Sequence, residues 1–285
     1  MTVIVVTDSA ARIPAALRER YRIREVPMHV LGADGDLREG IDDIGQDVID
    51  HPDTTTSGAI PADLEEVYSQ ALEDSDGDGV VAVHLSRRLS GTWSAGRLVA
   101  DKLGPKIRIV DSRSVGLGIG FAALAAAQAA GDGADRDRVY EAAIRATSTT
   151  ECVVCVQQLD NLRHSGRISA TTKLLGSALS IKPVLQIVDG TLTLTEKQRT
   201  MTRAVAKMID IAVDAAGSGP VSVGVLDNFA PELTEQVAEE LSSRLPKIDA
   251  LIRADMGPVL GSHVGSGAVA IALCTSLVGI DTSVL

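Results

Sequence analysis

The sequence predicts an α/β protein of two units, a parallel-sheet unit over residues 1–150 and an α+β unit with a mixed or antiparallel sheet over 151–285. Three observations carry that reading. Short β-branched runs alternate with helix-patterned segments through the first half. Those runs are continuously apolar, as strands covered on both faces of a parallel sheet must be. Beyond "ATSTT" (146–150) the pattern changes to a hairpin followed by strands and helices, with no internal repeat or long linker between the halves.

The first strand is "VIVVTDS" (3–9), followed by Ile13, Leu17 and Tyr21 at the i, i+4 spacing of a helix. "GVVAVHLS" (79–86) is the next buried run, and "SAGRLVADKLG" after it is helix-compatible. "IRIVDS" (107–112) precedes an Ala-rich helix near 119–130 that "GDG" (131–133) should terminate. A further helix, about 135–147, places Val139, Ala143 and Ala146 on one face. These strands end in Asp-Ser or Leu-Ser, and ligands of open α/β sheets bind beyond the carboxyl ends of strands. Hydroxyls and free helix N–H groups can meet an anion there.

In the second half "ECVVCVQQ" (151–158) reads as a strand. "KPVLQIVDGTLTLTEKQR" (182–199) is a hairpin, two alternating runs joined at Asp189-Gly190, a dipeptide suited to a type I′ turn. "VSVGVLDN" (221–228) precedes a helix marked by Leu233, Val237 and Leu241 with Pro231 near its start. "ALIRADMG" and "GAVAIALC" supply two more strands.

Composition narrows the function. Aromatic residues make up only 2%, so the core is aliphatic, and the net charge of -11 opposes nucleic acid, whose phosphates need a concentrated basic face. The most apolar helix segment, "GIGFAALAAAQAAG", is too short and Ala-rich to span a bilayer and predicts a buried helix, with no stable membrane insertion. Three cysteines and an N-terminus without a basic leader fit reduced thiols in the cytoplasm.

Several motifs resolve into ordinary structure. "DSDGDG" (74–79) opens like a calcium loop, but its twelfth position is Leu85 rather than Glu, so a solvated turn is expected. Cys152 and Cys155 form C-x-x-C in a strand, where alternation puts them on opposite faces and makes them core thiols rather than a zinc or redox pair. "GLGIG" (116–120) departs from G-x-G-x-x-G and no Walker segment occurs, so tight packing of that turn is expected and no nucleotide cofactor. "LSGTWSAG" (89–96) places Ser90 after a strand, yet it is not the G-x-S-x-G elbow. His263, flanked by Gly261, Gly265 and Gly267, lies where backbone can approach a ligand closely. Arg167 follows a glycine before an expected helix start, and Lys197 and Arg199 end the hairpin's second strand. Together these favour an anion site over a metal site. A serine acyl hydrolase using Ser90 and His263, or a kinase component binding a small polar ligand, remain open alternatives.

Eight segments in order, "VTDSAARIP", "TTTSGAIPADL", "LSRRLSGTWSA", "IVDSRSVGLGIG", "LDNLRHSGRIS", "SIKPVLQI", "EKQRT" and "GPVLGSHVGSG", resemble the DegV family. These are lipid-binding proteins that include the fatty-acid-binding subunits of bacterial fatty acid kinase. The resemblance implies a long-chain fatty acid in a tunnel completed by the second unit, with no catalysis by this chain itself. It implies that Thr56 and Ser90 hydrogen-bond the carboxylate, that His263 and Arg199 lie near the head group, and that Arg167 faces a partner. That partner is a separate ATP-using kinase subunit that phosphorylates the bound carboxylate. The sequence departs from the family pattern at Ala59 and Ile60, where T-S-x-P-S has Pro and Ser, and at Gly116, Ser165 and Ser266.

Overall fold

A computed structural model describes residues 3–33, 35–168 and 181–285. Its first half runs β1 (Ile4–Asp8), a 3-10 turn (Ser9–Ala11), α1 (Ala15–Arg20), β2 (Arg24–Val26), β3 (His29–Gly32), β4 (Gly35–Arg38), α2 (Gln46–Ile49), β5 (Thr55–Ser57), α3 (Pro61–Asp74), β6 (Val80–His84), α4 (Thr92–Leu103), β7 (Ile107–Asp111), α5 (Leu117–Gly131) and α6 (Arg136–Ser148). The second half runs β8 (Thr150–Cys155), α7 (Asp160–His164), β9 (Lys182–Val188), β10 (Thr191–Gln198), α8 (Met201–Ala216), β11 (Val221–Asn228), α9 (Pro231–Arg244), β12 (Ile248–Asp255), α10 (Gly257–Val264) and β13 (Ala268–Cys274). The helix expected after Arg167 lies outside the described residues.

The apolar runs of the first half form a parallel sheet in the order β2-β1-β6-β7. All five residues of β1 and of β6 are buried, which is why these runs lack polar alternation. Val5, Val81 and Val83 face a core shared with Phe121, Leu124 and Val139 of α5 and α6. Val6, Val80 and Ala82 face Leu64, Tyr68 and Val99 of α3 and α4.

The second half builds a mixed sheet, β10-β9-β8-β13-β11-β12, antiparallel throughout except at β11–β12. Asp189 and Gly190 both have positive φ, 51° and 80°, as a type I′ hairpin requires. One face of the sheet packs under α8 and α9 through Val153, Cys155, Val225 and Ile271. The other turns toward the first half through Cys152, Val154, Leu226 and Ala272. The two thiols of C-x-x-C thus enter different cores, and burial pushes Cys152 up to about 11 and Cys155 up to about 12.

Helix α5 lies between the sheets, touching β1 and β6 on one side and β8, β11 and β13 on the other. That position explains a helix without a polar face. Its close seat depends on Gly224 of β11, where a Cβ would stand 2.6 Å from Leu117 Cδ1. No helix among the described residues is long and apolar enough to cross a membrane.

Three features were not legible in the sequence. A small antiparallel sheet, β4-β3-β5, projects from the first half. Helices α3 and α8 are the others, each an ordinary amphipathic helix with one buried face. "DSDGDG" forms the tight turn between α3 and β6, with the Gly79 N–H donated to Ser75 Oγ at 3.1 Å.

Candidate functional site

Between the inner face of the second sheet and the first half lies an apolar cavity. Its floor is the face of the second sheet that carries Cys152, Val154, Ile187, Leu192, Ala270 and Ala272. Register puts Val154 opposite Ala270 and Cys152 opposite Ala272, so small side chains occupy the middle of the floor. Strand β13 reads "AVAIALC": Ala268, Ala270 and Ala272 point one way, Val269, Ile271 and Leu273 the other. The cavity exists because the inward set is small.

Walls come from Leu85, Leu89, Val115, Met256 and Leu260, and Thr56, Ser90, Arg167 and His263 interrupt this apolar lining. Four of the five expected site residues therefore meet in one place. Thr56 is the central residue of β5, paired with Val30 of β3. Ser90 lies in the turn between β6 and α4, which is held when Ser90 N–H donates to the Ser86 carbonyl at 3.0 Å. Ser86 Oγ in turn donates to the Gly190 carbonyl at 2.7 Å, tying that turn to the hairpin of the second sheet. Arg167 reaches back from beyond α7 and donates from Nε to the Leu89 carbonyl at 3.3 Å.

His263 stands on α10, and its Nε2 lies 2.8 Å from Thr56 Oγ1. The Gly-rich segment around it is mostly helix, and Leu260, His263 and Val264 of it line the cavity. Gly261 packs on Asn228, where a Cβ would be 2.6 Å from Oδ1, while Gly265 and Gly267, at φ 76° and 79°, end the helix. At its start, Glu39 accepts the Val259 N–H at 2.9 Å and the Ser9 hydroxyl at 2.6 Å. At its end, Ser266 donates to Asp50 at 2.9 Å and anchors the segment to α2.

Burial, aided by the Arg167 guanidinium, pushes the His263 pKa down to about 4 from 6.5, so the ring is neutral at pH 7. A depressed imidazole favours the fold above its unfolded pKa. Its contribution is lost as the pH falls from about 6.5 through about 4. The His263 ring nitrogen shifts should therefore hold steady from pH 8 to 5 and move only near 4; an NMR titration centred at 6.5 would contradict this burial.

Arg199 follows the end of β10 as an exposed side chain and is not among the residues lining the cavity. The strand-end hydroxyls do not all converge either. Ser9 is committed to Glu39, and Ser112 is buried against the Ser114 carbonyl. Asp8 pairs with His84 Nδ1 at 3.0 Å and takes the Leu85 N–H, holding β1 to β6. Of these strand-end hydroxyl residues, Ser90 lines the cavity. Ser90 has no bond to His263, which is engaged with Thr56, so no serine–histidine pair is formed. Sequence reasoning missed Glu39 and Thr92, both buried polar residues; nothing in a single sequence marks the first. The small/large alternation of β13 was the legible signal for the floor.

Two sheets beside an apolar cavity with a polar cluster on its lining define an α/β protein with an apolar pocket of mixed lining. The family model described as "uncharacterised protein, DegV family" matches residues 2–276, and the chain belongs to the DegV family. A DegV domain-containing protein of Mycobacterium tuberculosis is 48% identical over 271 residues, 95% of this chain and 96% of that one. The structure of a Bacillus subtilis protein described as DegV, a fatty acid binding protein, superposes with a TM-score of 0.86 at 30% identity, covering 96% of this chain and 99% of that one. A Thermus thermophilus structure described as fatty acid binding of a DegV family protein gives a TM-score of 0.89 at 26% identity, covering 96% and 100%.

Proposed function

We propose that the chain binds one long-chain fatty acid, its tail in the cavity and its carboxylate at Thr56 and Ser90, and presents that carboxylate to a second protein. The observation that carries this reading is the lining, an apolar bed with the hydroxyl residues Thr56, Ser57 and Ser90, a neutral imidazole and one guanidinium. Each buried methylene contributes about 0.8 kcal/mol, so a long tail supplies the affinity. The carboxylate cannot be buried bare and needs donors. If His263 Nε2–H donates to Thr56 Oγ1, the Thr56 hydroxyl proton is left for the ligand. The fatty-acid-binding relatives of Bacillus and Thermus support the same ligand class.

In this reading residues 1–150 supply the hydroxyl turns and residues 151–285 complete the tunnel. The chain is a cytoplasmic carrier, and a separate kinase subunit brings ATP to it. A carboxylate oxygen attacks the γ-phosphorus, the bond to the leaving ADP oxygen breaks, and an acyl phosphate remains bound. Neutral donors hold such a transferable acid without clamping it. Arg167 and His263, at the polar cluster, offer the contacts for that partner and for the developing charge. The resemblance to the kinase's binding subunits supports this division of labour.

Native mass spectrometry of freshly purified protein should show one fatty acid that leaves on denaturation. Protein that carries none and takes up no added palmitate would refute the reading. Thr56→Ala with Ser90→Ala should weaken palmitate binding roughly thirtyfold, from about 1 kcal/mol per lost hydrogen bond. Unchanged affinity in that double variant would remove the head-group assignment.

A further inference from the structure

We infer that Thr92 is a positioning residue that fixes the direction of the Ser90 hydroxyl, leaving it as a dedicated donor to the cavity; the inference rests on the proposed carboxylate site. Thr92 is the first residue of α4, fully buried, and does not line the cavity. Its hydroxyl oxygen accepts the Ala59 N–H at 3.1 Å and lies 3.0 Å from Ser90 Oγ. Ser90 Oγ also accepts the Thr92 N–H at 3.2 Å.

A hydroxyl has one proton to give and two lone pairs to receive. Two directions are conceivable for the bond between the two oxygens. If Ser90 donated to Thr92, Thr92 would accept twice and its own proton would have no acceptor among the described contacts, inside a fully buried pocket. Such an orphan is costly. If Thr92 donates to Ser90, the Ala59 N–H, the Thr92 N–H and the Thr92 hydroxyl are all satisfied, and the one proton left to give is that of Ser90. The chain of bonds then runs one way, from the Ala59 N–H to Thr92, from Thr92 to Ser90, and from Ser90 outward. Ser90 accepts from both Thr92 groups, so its lone pairs are filled and its proton points to the cavity.

The neighbouring backbone is shaped for this contact. Gly58 lies so close that a Cβ there would stand 2.6 Å from Thr92 Oγ1 and 2.9 Å from Ser90 Oγ. The Ala59 N–H that Thr92 accepts is one a proline could not give, and the T-S-x-P-S pattern has proline at that position. This chain therefore adds a backbone donor to the network. A ligand atom that only accepts, as a carboxylate oxygen does, suits a donor-only Ser90.

The test compares palmitate with 1-hexadecanol, each displacing cis-parinaric acid, so that losses common to both ligands cancel. Thr92→Val keeps the shape and removes the hydroxyl; it should cut the preference for the acid roughly fivefold, about as much as Ser90→Ala. Thr92→Ser should retain the preference within about twofold, since the hydroxyl remains. Combining Ser90→Ala with Thr92→Val should lose little more than either alone, because the two act through one bond. If Ser90→Ala loses the preference and Thr92→Val keeps it, the positioning role is wrong and the site stands. If Ser90→Ala keeps the preference, the carboxylate site itself falls and the relay with it. A Thr92→Val variant that loses both ligands equally would reveal a merely structural residue and also overturn the inference.

Discussion

Replacing Ala270 by Phe should weaken palmitate binding by about a hundredfold while the protein stays folded. Ala270 sits mid-strand on β13, opposite Val154 and Leu226, with its side chain on the cavity side of the sheet. An added ring there enters open space rather than a packed core, so overpacking is relieved into the cavity. Ligand, not protein, bears the loss. Excluding roughly four methylenes at about 0.8 kcal/mol each removes about 3 kcal/mol, or two powers of ten. Octanoate, whose tail can stop short of the obstruction, should lose far less. Leu273 of the same strand provides the contrast. It is 2% exposed, packs into the core under α8 and α9, and does not line the cavity. Leu273→Ala should therefore lower stability by about 2–4 kcal/mol yet leave the ranking of octanoate, decanoate and palmitate unchanged. Displacement titrations across that series check both variants. Equal affinity for palmitate in the wild type and Ala270→Phe would show that the acyl chain lies elsewhere.

How much of this was legible follows from where the information resides. The parallel sheet could be read because β1 and β6 are buried on both faces and are apolar up to their carboxyl ends, Thr7-Asp8 and His84. The hairpin could be read because Asp189-Gly190 answers to a local backbone rule. Thr56, Ser90, Arg167 and His263 were reached through motif resemblance, and the fold brings them to one cavity from four separated segments. Physical reading of "LSGTW" alone left Ser90 between nucleophile and donor. The contact that bears on this choice lies 207 positions apart in sequence, His263 standing against Thr56. Arg199, just past β10, is exposed and outside the cavity lining; its motif is local, and the path of the hairpin that carries it is not. The small sheet β4-β3-β5 escaped because β4, "GDLR", is exposed and polar, with no alternation to betray it. Glu39 escaped because a buried carboxylate is defined by its neighbours, and those come from Ser9, Arg12 and Val259.

Glu39→Ala should cost about 3 kcal/mol of stability, among the largest losses available outside the apolar cores. The Glu39 side chain is fully buried, 3.7 Å from Arg12 Nη1, and accepts hydrogen bonds from Ser9 and from Val259 in the first turn of α10. Truncation orphans both donors, and although Arg12 keeps Asp255 at 2.6 Å, its second acidic neighbour is gone. Because α10 carries His263, its contact with Thr56 should loosen as well, and palmitate affinity should fall with stability. Glu39→Gln separates shape from charge. Burial, with Asp8 nearby, raises the Glu39 pKa above 4.5 despite the opposing pull of Arg12 and the two hydrogen bonds. A carboxyl whose folded pKa is raised binds its proton more tightly in the fold. Its stabilising contribution is complete below the unfolded pKa near 4.5 and is lost as the pH rises through the folded value. Gln does not titrate, and His263 is common to both proteins, so its opposite pH dependence cancels in the comparison. Urea midpoints of wild type minus Glu39→Gln should thus move in favour of the wild type as the pH is lowered from neutrality toward 4.5, and level off below it. A flat difference across that range would mean that Glu39 does not feel the burial drawn here. A Glu39→Ala midpoint equal to the wild type would mean that α10 is held by other contacts.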